Sequence, residues 1–208
     1  MTSRPPPPGH AALPAWQTSD MDSSAAPLPD APQPPQESQE KQETQENPYF
    51  GPRRPHGPRD PGDAWVEGDK GRFWGRFGSA GLLVHDAGKG ILLQHRATWS
   101  DQGGTWGLPG GALHQGEDAV NGALREAKEE AAVPPEAVEV LFTSVFDVGY
   151  WTYTTVAARV IEPFDPAISD PESLDLQWIQ PYNVDEHELH PGFAAAWPEL
   201  RRRLEQAS

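Results

Sequence analysis

The chain has 208 residues, a formal net charge of −15, 24 prolines, eight tryptophans and no cysteine. Without thiols it can form no disulfide, thiol nucleophile or thiolate metal site. Residues 63–208 hold 23 acids and 11 bases, which sets the chain against a nucleic-acid polymer as partner, though a nucleotide-sized anion stays compatible because bound cations reverse the local sign of a site.

In chain order, residues 1–62 carry 15 of the prolines, runs such as Pro5-Pro6-Pro7-Pro8, and a Gln/Glu tract at 36–46. Apolar residues are too sparse there to offset the entropy of ordering, so the composition predicts a disordered Pro/Gln/Glu-rich tail ahead of one globular domain at 63–208. The N-terminus has no apolar run of the secretory kind and nothing later approaches a membrane span, so a cytoplasmic protein without membrane contact is expected. Trp65, Trp74 and Phe77 are expected in a first strand or lid packed on the core. Ser79–Asp86 and Gly90–Arg96 are apolar runs split by Ala87-Gly88-Lys89, a hairpin signature. Residues 99–104 read as a polar loop and 106–113 as a short Gly-rich strand and turn. A helix is expected over 118–131, stopped before Pro134-Pro135. Val138–Asp147 and residues 150–161, joined around Gly149, predict a second hairpin. Residues 173–180 alternate like a half-buried strand. Over 192–205, Phe193, Ala196, Trp197, Leu200 and Leu204 recur at helical spacing, and Arg201-Arg202-Arg203 are expected in the last turn, complementing the helix dipole. Strands, one helix, more strands and a terminal helix predict an α/β fold, a mixed sheet with helices on both faces.

The helix at 118–131 carries the chemistry. On a wheel of 100° per residue, Val120, Leu124, Ala127 and Ala131 form an apolar stripe, and beside it runs a lane of Ala119, Gly122, Glu126, Glu129 and Glu130. Glu126, Glu129 and Glu130 stand at i, i+3 and i+4, on one face. Three carboxylates there repel unless a positive charge sits among them, and oxygen ligands suit magnesium or manganese. Gly122 costs the helix about 1 kcal/mol relative to Ala, which suggests close approach of another group.

Gly111, Glu117, Arg125, Glu126, Glu129 and Glu130 match the spacing G-x5-E-x7-R-E-U-x-E-E-x-G-U, and the lead-in is Trp106-Gly107-Leu108-Pro109-Gly110-Gly111. In this the chain resembles the Nudix hydrolases over roughly residues 75–205. Ala132 stands where the motif has its second Gly; in a left-handed exit turn it costs roughly 1–2 kcal/mol. The resemblance implies an α/β/α sandwich and a hydrolase acting on a phosphoric anhydride. It implies that Glu126, Glu129, Glu130 and the carbonyl of Gly110 hold Mg2+ or Mn2+, and that Glu117 and Arg125 brace loop and helix. Gly110 and Gly111 let backbone approach metal and phosphates without a Cβ in the way. Trp106, like Trp99, is a candidate for stacking on a base, and His85, His95, His114, His187 and His190 are weaker candidates for phosphate contacts. A later acid, Glu172 in preference to Asp175, is expected as general base if the box does not supply one.

The expected substrate is a small nucleoside diphosphate derivative. Relatives that clean up oxidised guanine nucleotides share the approach to the box, but residues 189–193 offer no Asn or Gln to read a base edge, so a general nucleotide pyrophosphatase is preferred. The alternative is a non-catalytic ligand sensor on the same scaffold, recruiting partners through the Pro-rich tail; retention of all four glutamates favours the enzyme. No feature of the sequence specifies an oligomeric state.

Overall fold

The apolar runs at 79–96 form the centre of a seven-stranded mixed sheet in the computed structural model, which describes residues 60–207. The strands are β1 (Trp65–Gly68), β2 (Gly71–Trp74), β3 (Ser79–Asp86), β4 (Gly90–Arg96), β5 (Trp106–Gly107), β6 (Gly110–Ala112), β7 (Val138–Asp147), β8 (Thr152–Val160) and β9 (Ser173–Ile179). The helices are α1 (Ala119–Ala131) and α2 (Pro191–Ala207). The main sheet runs β5-β4-β3-β8-β7, with β6 paired to β3 and β9 to β4, while β1 and β2 form a separate hairpin. Both expected hairpins are present as antiparallel pairs, β3 with β4 and β7 with β8. The β3–β8 pair is parallel, a contact across more than 70 residues that no local pattern announces.

Alternation along the central strands explains the two helix layers. Ala80, Leu82, Val84, Leu92, Val156 and Ala158 point to α1, where they meet Ala123, Ala127 and Ala131. Leu83, Ile91, Leu93, Ala157 and Ile179 point to the other face and pack on Phe193, Trp197, Leu200 and Leu204 of α2. The sheet is therefore covered on both sides, as the pattern of elements predicts.

One local feature positions the site. β3 and β4 pair only at His85–Ile91 and Asp86–Gly90, next to their turn. Beyond it they fork: β6 takes the place beside β3, pairing Gly81 with Gly110, and β5 pairs with β4 through Gln94–Gly107. Leu82 N donates to Pro109 O at 2.9 Å, so the glycine-rich segment is wedged into the fork with its backbone against β3.

Two expectations need correcting. Trp65 and Phe77 are 39% and 38% exposed; the first hairpin is anchored instead by Phe73, stacked on Trp151 at 4.4 Å, and by Trp151 Nε1 donating to Trp74 O at 3.1 Å. Arg201, Arg202 and Arg203 do not lie in the last turn of α2, which runs on to Ala207 and has no basic residue there. Arg201 pairs with Glu205 at 3.1 Å, Arg202 with Glu199, and Arg203 lies 3.9 Å from the Phe142 ring centre. The expected tail lies outside the described residues except for Asp60–Pro61–Gly62, which pack with the domain: Arg76 N donates to Gly62 O at 2.8 Å, and Gly62 is buried. Among the described residues no helix is long and apolar enough to cross a membrane.

Candidate active site

The box helix starts where Asp118 Oδ1 accepts from Val120 N and Asn121 N, both at 3.0 Å, satisfying the free N–H groups of a first turn. It ends at Ala132, left-handed at φ 53°, ψ 32°, whose N–H donates to Lys128 O at 3.1 Å while Val133 N donates to Ala127 O at 3.2 Å. A non-glycine residue thus occupies the strained exit position. Gly122 is needed for packing: a Cβ there would lie 2.3 Å from Leu113 Cδ2 and 3.2 Å from Glu117 Oε2.

Arg125 is the hub of the site. Its Nε and Nη2 donate to the two oxygens of Glu117, each at 2.9 Å, and Nη2 also donates to Ala112 O at 2.9 Å. Glu117 Oε2 accepts in turn from His114 N at 2.9 Å. This bidentate pair joins the first turns after β6 to the middle of α1, and it holds the Glu117 carboxyl below its usual range while raising Arg125. Through Nη1 the same guanidinium reaches Glu126 Oε1 at 2.8 Å and Glu129 Oε2 at 3.2 Å.

The three lane glutamates differ sharply. Glu129 is mostly exposed, its side chain 58% accessible, and Glu126 is largely covered. Glu130 is 4% exposed and accepts from Gly110 N at 2.9 Å. Burial, then the neighbouring Glu126 charge, pushes the Glu130 carboxyl up to about 8; Glu172 adds to the rise, and the Gly110 N–H and Arg96 oppose it. The two glycines make this possible. At Gly110 a Cβ would sit 2.4 Å from Ala80 O, and at Gly111 one would sit 2.6 Å from Glu126 Oε1. Backbone room at Gly111 is therefore occupied by the Glu126 carboxylate itself.

Glu126, Glu129, Glu130 and Arg125 face a cavity of about 130 Å³, which Asp63, His114 and Asp170 also line. The larger hollow along α2, about 340 Å³ between Trp197 and Arg201, holds none of the box side chains. Glu172 is fixed by its backbone, with Ala97 N donating to its O and its own N–H donating to Asp170 Oδ1, both at 2.7 Å. Asp175 is spent on Leu176 N at 2.8 Å and Gln177 Nε2 at 2.7 Å. Among the described residues no three Asp, Glu or His side chains are gathered around one point, and Arg125 Nη1 donates to both Glu126 and Glu129. The donor set nevertheless fits a hard divalent cation: the box carboxylates offer only oxygens, and a carboxyl held up by burial and then by like charge is one that a cation would return to its ionised form.

Trp106 is half-buried with His95 stacked on it at 4.7 Å and His187 against its edge at 5.4 Å, so one of its faces is already covered. Trp99 is 42% exposed. His85 and His190 are both lowered by burial. Sequence reasoning missed Asp63, Asp170, Arg96 and Tyr153. Arg96 lies close enough to Glu130 and Tyr153 to lower both, and Tyr153, whose hydroxyl lies over Gly81, is pushed up to about 12 by desolvation. None belongs to the box; Asp63 arrives with the residues packed on Leu113, and Tyr153 through the β3–β8 pairing.

The NUDIX domain model matches residues 75–200. The chain belongs to the Nudix family. It is 47% identical over 154 residues to a Mycobacterium tuberculosis protein named "Putative 8-oxo-dGTP diphosphatase 3", a match covering 69% of this chain and 70% of that one. It is 40% identical over 155 residues to a Bifidobacterium longum nucleoside triphosphate pyrophosphatase/Nudix hydrolase fusion protein, covering 70% of this chain and 32% of the fusion. Among solved structures, a Nudix hydrolase from M. smegmatis, RenU, superposes with a TM-score of 0.64 at 44% identity over 71% of this chain and 98% of its own. A C. elegans Ap4A hydrolase at 20% identity and a TM-score of 0.52, covering 62% of this chain and 98% of its own, shares the fold. This Nudix chain is accordingly a hydrolase of the pyrophosphatase kind, of a family that works on small nucleotides with divalent cations.

Proposed function

We propose that this Nudix hydrolase cleaves the diphosphate linkage of a nucleoside diphosphate derivative, with Mg2+ or Mn2+ held by Glu126, Glu129, Glu130 and the carbonyl of Gly110. The observation that carries the reading is the cavity beside α1: among the described residues five carboxylates line it, one of them the buried Glu130, together with Arg125 and His114. A bound divalent cation supplies charge neutralisation on the phosphates and makes an attacking water more acidic. The chain's own residues do the remaining work. Arg125, clamped on Glu117, orients the box carboxylates. Glu172, whose backbone N–H donates to the cavity-lining Asp170, is the later acid assigned to accept the proton of the attacking water, because Asp175 is spent on its own strand.

The preferred substrate class is a general one, because residues 189–193 contain no Asn or Gln to recognise a base edge. The name of the 47% identical relative favours a second reading, oxidised guanine nucleoside triphosphates. A panel of nucleoside triphosphates, 8-oxo-dGTP, ADP-ribose and dinucleoside polyphosphates with Mg2+, followed by monophosphate release, decides between them. Comparable kcat/KM across several bases supports the general reading, and preference for 8-oxo-dGTP by two orders of magnitude replaces it with the second.

A further inference from the structure

The family match begins at residue 75, yet part of the cavity wall is built before that point. Asp63 lines the cavity together with Glu126, Glu129, Glu130 and Asp170. Residues 60–64 are tied into a knot: Gly62 N donates to Asp60 Oδ1 at 2.7 Å, Asp63 N to Asp60 O at 2.9 Å, and Ala64 N to Gly62 O at 2.8 Å. The knot is pressed onto the box loop. A Cβ on Gly62 would lie 2.1 Å from Leu113 O, and Asp60 Oδ2 is 3.9 Å from His114 Nδ1. On the far side Gly75 N donates to Ala64 O at 2.9 Å. A segment held at both ends in this way fixes the direction in which residue 63 faces. Whereas Asp60 is consumed within the knot, the Asp63 carboxylate makes no hydrogen bond or ion pair with another described residue.

Placing an unpaired carboxylate beside four others is electrostatically unfavourable unless positive charge joins them. Arg125 is the guanidinium among the described residues on the cavity wall, and its donors go to Glu117, Glu126, Glu129 and Ala112 O, none of them to Asp63. We propose that Asp63 is a carboxylate of the cation-binding shell of the active site, directly or through a water, delivered by the 60–64 knot. The inference rests on the cation-dependent reading above.

The test is a Mn2+ titration of the full chain, reading free Mn2+ by electron paramagnetic resonance, with thermal melting in chelator alongside. Asp63→Asn weakens at least one Mn2+ by about tenfold or more, the scale expected when a supporting carboxylate is lost, while its melting temperature in chelator does not fall. Asp63→Glu restores most of the affinity. Gly62→Ala, whose Cβ collides with Leu113 O, shifts the knot and reproduces the loss. Asp69→Asn, an exposed acid in the β1–β2 turn, keeps wild-type affinity. Wild-type Mn2+ affinity and stoichiometry in Asp63→Asn, or an equal loss in Asp69→Asn, overturns the assignment and leaves the proposed function standing. A wild-type chain that binds no Mn2+ overturns both.

Discussion

Glu130 offers a quantitative test of the site's electrostatics. Its carboxyl is pushed from 4.5 to about 8, first by burial and then by Glu126. Between those values the folded chain holds a proton that the unfolded chain has released, so the contribution of Glu130 to folding stability is fully present below pH 4.5 and is lost as pH rises towards 8. Each pH unit across that interval is worth about 1.4 kcal/mol, so the upper bound over the window is about 5 kcal/mol, reduced by whatever relaxation Glu126 allows. Two other groups titrate in or near the same range with the opposite sign: His85 and His190 are lowered by burial and add stability as pH rises through the normal imidazole range. Glu117 is depressed, and its contribution is lost only below pH 4.5. The comparison with Glu130→Gln isolates the effect, because the amide oxygen can still accept from Gly110 N. Urea unfolding in chelator, read by tryptophan fluorescence from pH 5 to 8, should show the wild type losing ground to Glu130→Gln by up to one proton's slope, about 1.4 kcal/mol per pH unit. Saturating Mg2+ should remove that difference by stabilising the wild-type carboxylate. Parallel stability curves for the two proteins in chelator would refute the account of Glu130 as a buried, proton-holding carboxyl.

Other outcomes follow from particular contacts. Ala132→Gly relieves the left-handed exit of α1 and raises stability by about 0.5–1 kcal/mol after the added chain entropy of glycine, read as a melting-temperature increase; a decrease contradicts the cap assignment. Glu172→Gln lowers kcat by at least about tenfold, equivalent to about 1.4 kcal/mol, and Asp175→Asn does not; equal, small effects move the general base into the box helix. Removing residues 1–59 is expected, from their Pro/Gln/Glu-rich composition, to leave kcat and melting temperature nearly unchanged, whereas removing residues 1–63 lowers both; sensitivity to the shorter deletion places part of the domain or the site within residues 1–59.

Much of this molecule is written locally in the sequence. Asp118 and the Pro134-Pro135 stop delimit α1, and of the residues at the strict spacing the folded chain joins Glu117, Glu126 and Glu129 through Arg125, while Glu130 accepts from Gly110 N. What the sequence concealed depends on contacts far apart in the chain. The β1–β2 hairpin has strands of four residues, too short for a period to show, and is secured by Phe73 on Trp151. Glu130 looks like its two neighbours in sequence, and only the wedge of Gly110 against β3 makes it the buried member. Asp63, Asp170 and Arg96 sit in a turn, a loop and a strand end with no motif around them. Asp63 reaches the cavity through contacts of residues 60–64 with Leu113, Gly75 and Arg76, far from it in sequence.

The central claim is that hydrolysis runs through a divalent cation on the box carboxylates. Initial rates of monophosphate release against free Mg2+, for wild type and Glu129→Gln, test it most directly. The account predicts no turnover in excess chelator, saturable recovery with Mg2+, and loss of most of that activity in Glu129→Gln with its fold intact. Full turnover in chelator, or a Glu129→Gln variant with wild-type Mg2+ dependence, would contradict it.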